Sequence, residues 1–156
     1  MLQPERYSPD MPRTPLDFPT VRLAPWPRDI SLLTRIRAFI EASAELLWLD
    51  LCGWYGFRTM HAAVARVPTS TSVPYDALTL VRVAVRDAAI FYIKPVHCLQ
   101  RSAVVTRMLR RRGLNARLVI GYQLTPVAGH AWVEVNDRVV SDYLSKYLSY
   151  RVLDRI

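Results

Sequence analysis

In its second half the chain changes from helical to strand periodicity, and this change limits the folds that it can adopt. Cys98–Arg112 has helical spacing, carries arginines in its last turn and is followed by Gly113, as is typical of a helix end. Strand patterns then cover Ala116–Leu124 and the two arms of a predicted hairpin, His130–Val135 and Val139–Tyr143. A helix followed by adjacent strands, without an internal repeat, predicts an α+β fold with a small antiparallel sheet.

The region before this segment is predicted to be helical. Asp29 can cap a helix that begins at Ile30, a short helix is expected over Arg58–Ala65, and Asp76 can begin another that ends before Pro95. We therefore expect a helical N-terminal half packed on the sheet, with two apolar helix faces in the core. The predicted faces are Leu32, Leu33, Ile36, Phe39, Ile40, Leu46, Leu47 and Leu49 on the first helix, and Leu78, Val81, Val85, Ala88 and Ala89 on the helix after Asp76.

Length and proline content predict the domain organisation. A chain of 156 residues suits one domain. Seven of the eleven prolines lie within residues 1–29, where they disfavour helix and sheet. We expect a proline-rich N-terminal arm over 1–29 and a single domain over 30–156, with a helical part over 30–94 and a helix-and-sheet part over 95–156.

Composition and charge exclude several classes of protein. The two cysteines, Cys52 and Cys98, lie in different contexts and do not suit a disulfide scaffold, and the first residues lack the apolar core of a signal peptide, so we expect a cytoplasmic protein. Charges interrupt the apolar stretch over 30–57, which argues against a transmembrane segment but leaves peripheral membrane contact open. The formal net charge of +8 indicates a basic surface. No RNP motif, zinc finger or basic zipper accompanies it, so no nucleic-acid partner is expected.

Three residues in the second half have the chemistry of a cysteine hydrolase. A thiol at a helix start, as predicted for Cys98, lies beside unpaired N–H groups that stabilise a thiolate and an oxyanion. The thiol needs a histidine base, and the base needs a carboxylate that orients it; His130 begins a predicted strand and Asp142 lies on the next one. The sequence therefore predicts these three residues as a catalytic triad. No C-x-x-C pair, H-x-x-x-H pair or glycine-rich phosphate loop is present, so we expect no metal and no cofactor.

The length of the hairpin loop decides whether His130 can meet Asp142. With a two-residue turn at Asn136-Asp137, Asp142 would pair with Ala131 and face away from His130. A three-residue loop over Val135–Asp137 would place Asp142 opposite His130, with the two Cβ atoms roughly 5 Å apart. We predict the three-residue loop, with a left-handed conformation for its last residue.

Two further features around the triad are predicted. The backbone N–H of Cys98 is the expected first oxyanion donor, and the second donor is left open among Tyr92, Lys94, His97 and Gln100. Alternation along the strand HAWVEV puts every second residue on the same face. The expected faces are His130, Trp132 and Glu134 on one side, and Ala131, Val133 and Val135 on the other.

Other residues are expected to be structural. Cys52 lies in an apolar stretch and is expected in the core, and His61 is expected to be a boundary histidine with a satisfied ring. The run Arg110–Arg112 is expected to be solvated helix-end charge, or else a docking site for acidic residues of a partner.

The stretch CLQRSAVVTRMLRRRGLNARLVIGY, followed by GHAWVEVNDRVVSD, resembles the B2 leader peptidases of lasso-peptide biosynthesis. The family pattern has Cys-Leu at the start of a helix, an arginine-rich helix end with RRG, a strand near LVIG, and HAWVEV before an Asp. The resemblance is close from Cys98 to Asp142. From Ile30 to Tyr92 the two agree only in being helical, without a close match of residues. More broadly, it implies a transglutaminase-like and papain-like cysteine protease core.

The resemblance implies a bacterial cysteine peptidase that removes the leader from a ribosomally made precursor. It implies Cys98 as the nucleophile that forms a thioester acyl-enzyme, His130 as general base and acid, and Asp142 as the residue that orients His130. The implied partners are the precursor peptide, a separate leader-recognition protein of the B1 or RRE type, and an ATP-dependent lasso cyclase. As alternatives, the same triad would serve a transglutaminase-like acyltransferase, and the basic surface would serve a non-enzymatic binding module.

Overall fold

The computed structural model describes residues 26–27, 29–54, 56–65, 75–140 and 150–156. In this part of the chain four helices precede a four-stranded antiparallel sheet, so the predicted α+β class is confirmed. Most of the predicted proline-rich arm lies outside the described residues. The helices are α1 (Leu32–Trp54), α2 (Phe57–Ala65), α3 (Tyr75–Ile90) and α4 (Cys98–Arg111), and the strands are β1 (Ala116–Leu124), β2 (Val127–Val135), β3 (Arg138–Val139) and β4 (Arg151–Arg155).

The core lies between the helices and one face of the sheet. Helix α3 packs against α1 and α4, and α4 packs against β1 and β2, the two central strands of the order β3-β2-β1-β4. The stripe predicted for α3 is confirmed, because Leu78, Val81, Val85 and Ala88 are at most 4% exposed. The sheet contributes Ala116 and Leu118 of β1, and Ala131, Val133 and Val135 of β2.

Helix α1 packs through a narrow face. The prediction of its buried face is wrong for most residues, because they are exposed. Its buried residues, Ala38, Ala42, Leu46 and Leu49, recur every three or four positions and are at most 2% exposed. Because these residues occupy one side, several large apolar side chains of the helix point away from the core. We call Leu33, Ile36, Ile40, Leu47 and Leu51, which are 47–67% exposed, the outer face of α1.

The described helices include none that is both long enough and apolar enough to cross a membrane. In α1, the acidic residues Glu41 and Glu45 interrupt the apolar sequence. Glu45 pairs with two arginines of α4, and Glu41 pairs with Arg112, which follows the last residue of α4.

Local hydrogen bonds hold both ends of α4. At its start, the His97 N–H donates to Gln100 Oε1 at 3.4 Å. At its end, Gly113 has a φ of 82°, and its N–H donates to Arg110 O at 2.9 Å. A left-handed residue after the last turn is favourable for glycine because it has no Cβ. The predicted glycine stop is therefore confirmed.

The arginines near the end of α4 bind other parts of the protein. Arg110 is 7% exposed, and burial lowers its pKa, with the nearby charge of Arg117 adding to this effect. Arg112 pairs with Glu41 of α1. The prediction of a solvated arginine run is therefore wrong for Arg110, whose guanidinium is buried and binds backbone carbonyl oxygens of the domain. Its guanidinium donates to the carbonyl oxygens of Val64, Ala116 and Ile156.

The hairpin between β2 and β3 closes with a two-residue turn, so the predicted three-residue loop is wrong. Val135 pairs with Arg138, and Glu134 pairs with Val139. Asn136 and Asp137 form the turn with φ values of 49° and 61°. Because both residue types tolerate left-handed backbone, the short turn that suits the sheet twist can form. The predicted pairing of His130 with Asp142 required the three-residue loop, and the observed register at the turn is different. Asp142 itself lies outside the described residues.

Strand β1 begins and ends as predicted, but the turn that follows it is shorter than expected. Leu124 pairs with Val127, which leaves Thr125 and Pro126, joined by a cis peptide bond, as the turn. The predicted turn extended to Gly129. Strand β2 therefore includes three residues before His130.

Candidate active site

Cys98 is the first residue of α4, and it is half-buried. The first bond within the helix runs from the Arg101 N–H to His97 O at 3.0 Å. The N–H groups of Cys98, Leu99 and Gln100 therefore have no acceptor inside the helix. Such groups can stabilise both a thiolate and the oxyanion that forms when the thiolate attacks a carbonyl. The predicted position of Cys98 at a helix start is confirmed.

His130 lies on β2, on the sheet face that points away from the helices. The centroid of its ring is 6.3 Å from that of Trp132 and 5.5 Å from that of Tyr150. Trp132 is 1% exposed and donates its Nε1–H to Glu134 Oε1 at 3.1 Å. The intervening residues of β2 belong to the core on the other face, so the predicted alternation is confirmed. Packing against two aromatic rings restricts the orientation of the His130 ring.

A glycine of β1 makes room for the indole ring beside His130. Gly121 pairs with His130. A Cβ atom at position 121 would lie 2.7 Å from two ring carbons of Trp132 and 3.1 Å from Arg151 O. These distances are too short for a carbon atom, so only glycine allows the indole ring to lie where it does. Gly121 was not predicted as a site residue, although a glycine inside a strand pattern indicates close approach of another group.

Two hydrogen bonds determine how α4 lies on β2. The Ser102 hydroxyl donates to Ala131 O at 2.9 Å, and Arg110 Nε–H donates to Ala116 O at 2.7 Å. Ala116 in turn pairs with Val135. The earlier residue of α4 thus contacts the earlier part of β2, and the later residue lies near its end. Helix and strand therefore run in the same direction.

Because of this direction, Cys98 and His130 lie at the same end of the helix–strand pair. Cys98 precedes Ser102 by about 6 Å along the helix axis. His130 precedes Ala131 by about 3.3 Å along the strand. The structure thus places two of the three predicted site residues at one end of α4 and β2, with Cys98 on the helix side of the sheet and His130 on the sheet face that points away from the helices. The third, Asp142, lies outside the described residues.

A carboxylate of α1 binds three of the four side chains considered as oxyanion donors. Asp50 accepts from the Tyr92 hydroxyl at 3.2 Å, pairs with the Lys94 ammonium at 2.7 Å, and accepts from the Gln100 amide. Burial raises the pKa of Tyr92, and the negative charge of Asp50 adds to this effect, so the phenol stays protonated and can donate. The fourth side chain, His97, is exposed. Asp50 was not predicted as a site residue, because nothing in the neighbouring sequence indicates these partners.

A cavity of about 440 Å³ lies at the start of α4. It is lined by His97, which directly precedes Cys98 in the chain, and by Gln100, which lies two residues after it. A peptide bound in this cavity would therefore lie beside the first turn of α4. The complete lining is Asp50, Gly53, Lys94, Pro95, His97 and Gln100.

Cys52 and His61 occupy a different part of the domain. Cys52 is half-buried against the core and lines a second cavity, of about 300 Å³, beside α2. His61 Nε2 lies 3.2 Å from Asp154 Oδ2 of β4, so its predicted structural role is confirmed. Within the described ranges, no three His, Cys, Asp or Glu side chains are grouped as a metal site.

Comparison with known proteins identifies similar sequences. A family model described as the transglutaminase-like superfamily matches residues 44–155, which include α4 and the four strands. The microcin J25-processing protein McjB of Escherichia coli is 42% identical over 45 residues. That match covers 29% of this chain and 22% of McjB. No solved structure matches the chain.

Proposed function

Because the chain belongs to the transglutaminase-like superfamily, we propose that it is a cysteine peptidase that removes the leader from a lasso-peptide precursor. The proposed triad is Cys98, His130 and Asp142. The observation that carries the proposal is the shared direction of α4 and β2, which puts Cys98 and His130 at the same end. Similarity to a microcin J25-processing protein supports a peptide precursor as the substrate.

In the proposed first half-reaction, His130 takes the proton of the Cys98 thiol, and the thiolate attacks the carbonyl carbon of the scissile peptide bond. The carbonyl oxygen becomes an oxyanion that accepts hydrogen bonds from the N–H groups at the start of α4. The C–N bond then breaks, and His130 gives its proton to the leaving amine of the core peptide. The leader is left joined to Cys98 as a thioester.

In the second half-reaction, His130 removes a proton from water, and the resulting hydroxide attacks the thioester carbonyl. Collapse of the intermediate breaks the C–S bond and releases the leader with a free carboxylate, and His130 returns its proton to the Cys98 sulfur. The β2–β3 pairing of the described residues ends at Val139, so it sets no partner for Asp142. In this scheme Asp142 accepts a hydrogen bond from the second ring nitrogen of His130 and so selects its tautomer. Trp132 and Tyr150 restrict the ring by packing.

The proposal includes partners as well as a substrate. A peptidase that acts on one precursor needs more contacts than the residues around the cut supply, and a separate leader-recognition protein of the B1 or RRE type would provide them. An ATP-dependent cyclase would then use the freed amine of the core. The outer face of α1 is the docking surface that we propose for the recognition protein, because it exposes large apolar side chains along one helix.

The proposal is tested by incubating the purified chain with precursor and recognition protein and following the products by mass spectrometry. Wild-type protein should release the leader. Cys98→Ala should release none and keep its circular dichroism spectrum, because only a sulfur atom is lost. Cys52→Ala is the matched control and should cleave normally. Leader release by pure Cys98→Ala at the wild-type rate would exclude the triad.

A primary amine added to the same assay separates hydrolysis from acyl transfer. Both reactions pass through the same thioester, and the acceptor decides the product. Water gives a leader that ends in a carboxylate, whereas an amine gives a leader that ends in an amide. We expect the carboxylate as the main product, and a main amide product would favour the transglutaminase-like alternative.

A further inference from the structure

We propose that Asp50 is a positioning residue for the Cys98 nucleophile and acts through Gln100; this inference rests on the function proposed above. Asp50 lies near the end of α1, with 17% of its side chain exposed. Gln100 is the third residue of α4. Its amide nitrogen donates to Asp50 Oδ1, and its amide oxygen accepts from the His97 N–H at 3.4 Å.

The Gln100 side chain connects α1 to the residue that precedes Cys98. An amide group has distinct donor and acceptor ends, so a fixed acceptor for its nitrogen also determines where its oxygen points. Asp50 supplies that fixed acceptor and thereby keeps the oxygen on the His97 N–H. This bond is a cap at the start of α4. Without it, the first turn can change position, and the thiol and the oxyanion-binding N–H groups lie in that turn.

Asp50 is itself held by the segment that leads into α4. Tyr92 donates its hydroxyl to Asp50 Oδ2 at 3.2 Å, and the Lys94 ammonium lies 2.7 Å from the same oxygen. The Lys94 charge offsets the cost of placing a carboxylate in a largely buried position. One side chain thus joins α1, the segment before α4 and the first turn of α4.

A second acid of α1 provides a matched control. Glu41 also binds α4, but it pairs with Arg112, which follows the last residue of the helix. Removing Glu41 therefore breaks a link between the same two helices at the end far from Cys98. A general loosening of α1 against α4 affects both variants, whereas loss of nucleophile position affects only the Asp50 variants.

The first measurement is the steady-state rate of leader cleavage. Asp50→Ala should lower kcat roughly ten- to a hundredfold with little change in KM, because a misplaced reacting group lowers the rate of the bound complex. Asp50→Asn keeps one acceptor for Gln100 and should lose less. Glu41→Ala should keep the wild-type kcat. An unchanged kcat in Asp50→Ala, or an equal loss in Glu41→Ala, would overturn the proposal.

A double-variant comparison tests the path through Gln100. Gln100→Ala should lower kcat about as much as Asp50→Ala. The double variant should lose no more than either single variant, because both substitutions remove the same cap. Losses that multiply in the double variant would show that Asp50 acts by another route. If Asp50→Ala does not fold, Asp50→Asn replaces it in this comparison.

Hydrogen exchange supplies a readout that does not depend on the substrate. In Asp50→Ala, amides of residues 97–101 should exchange faster, while those of 107–113 should not change. Glu41→Ala should show the reverse pattern. If wild-type protein cleaves no precursor, the proposed function fails and this measurement still tests the link from Asp50 to α4. Unchanged exchange at 97–101 would overturn that link.

Discussion

The Ser102 hydroxyl donates a hydrogen bond to the carbonyl oxygen of Ala131 across 2.9 Å. Both residues are buried. Ser102 lies one turn after Cys98, and Ala131 follows His130 directly. This bond therefore joins the helix of the proposed nucleophile to the strand of the proposed base, close to both residues.

Ser102→Ala should lower both stability and activity. Losing one buried hydrogen bond should reduce the free energy of unfolding by about 0.5–1.5 kcal/mol, and the start of α4 should move relative to β2. Thr106→Val is the control, because in the described part of the chain the Thr106 hydroxyl donates to Ser102 O within the same helix. Urea unfolding and leader cleavage are the measurements. Equal loss of cleavage in both variants would contradict the role of the Ser102–Ala131 bond.

Iodoacetamide should modify Cys98 before Cys52 at neutral pH. Both thiols are half-buried, so burial alone does not separate them. Cys52 lines a cavity, and His97 and Gln100, before and after Cys98 in the chain, line another. Cys98 lies at the start of α4, beside N–H groups that have no acceptor inside the helix, and it is the proposed nucleophile, whereas Cys52 lies near the end of α1. Peptide mapping at increasing reaction times gives the order of labelling. Earlier labelling of Cys52 would count against an activated Cys98.

His130→Ala should lower the rate of leader cleavage about 10²- to 10⁴-fold, because it removes the proposed general base and acid. His61→Ala is the matched control. His61 binds Asp154 on another part of the domain, so its loss should leave kcat close to the wild-type value. Single-turnover cleavage with both variants separates these outcomes. A His130→Ala protein that cleaves at a wild-type rate rules out His130 as the base.

Gly121→Ala should disturb the site although it replaces none of the proposed triad residues. The new Cβ would meet Trp132 at 2.7 Å and displace the ring that packs on His130. Such crowding costs about 1–3 kcal/mol of stability, and cleavage should fall with it. Gly129→Ala is the control, since among the described residues, its two chain neighbours apart, the nearest atom to its Cβ would be Gly121 O at 3.9 Å. A Gly121→Ala protein with unchanged melting temperature and activity would contradict the packing argument.

Ile40→Glu should weaken binding of the leader-recognition protein about tenfold or more, which corresponds to about 1.4 kcal/mol. Ile40 lies in the middle of the outer face of α1 and is 59% exposed, so the folded state should tolerate the charge. Leu153→Glu, at a 69% exposed leucine of β4, is the control. Titration calorimetry with the recognition protein measures both. Equal affinities for the two variants would place the docking surface elsewhere.

The sequence is sufficient for elements whose local pattern agrees with their packing. Strand β1 has the predicted ends, and α4 starts at Cys98 and stops at Gly113 as expected. The α3 stripe also matches. Each of these features depends on a periodicity or on a backbone conformation that a few neighbouring residues determine.

The features that escaped prediction depend on contacts between distant residues. Hydrophobic spacing could not show which apolar side of α1 is buried, because the helix has apolar residues on more than one side. The loop at Asn136-Asp137 was mispredicted because its residues suit both turn lengths. Asp50 and Gln100 meet only after α1 and α4 pack. The charged strand β4 lies at the edge of the sheet, and its sequence alone does not indicate its pairing with β1.

The contact between Gly121 and Trp132 also constrains how the protein can evolve. The closest atoms that a Cβ at position 121 would meet belong to the indole ring, and the next is Arg151 O at 3.1 Å. Among relatives, a smaller residue at position 132 would remove the closest contacts and make alanine at position 121 less costly. The two positions should therefore covary. In lineages that keep the tryptophan at position 132, the glycine at position 121 should be retained, because a larger residue there would clash with the indole ring.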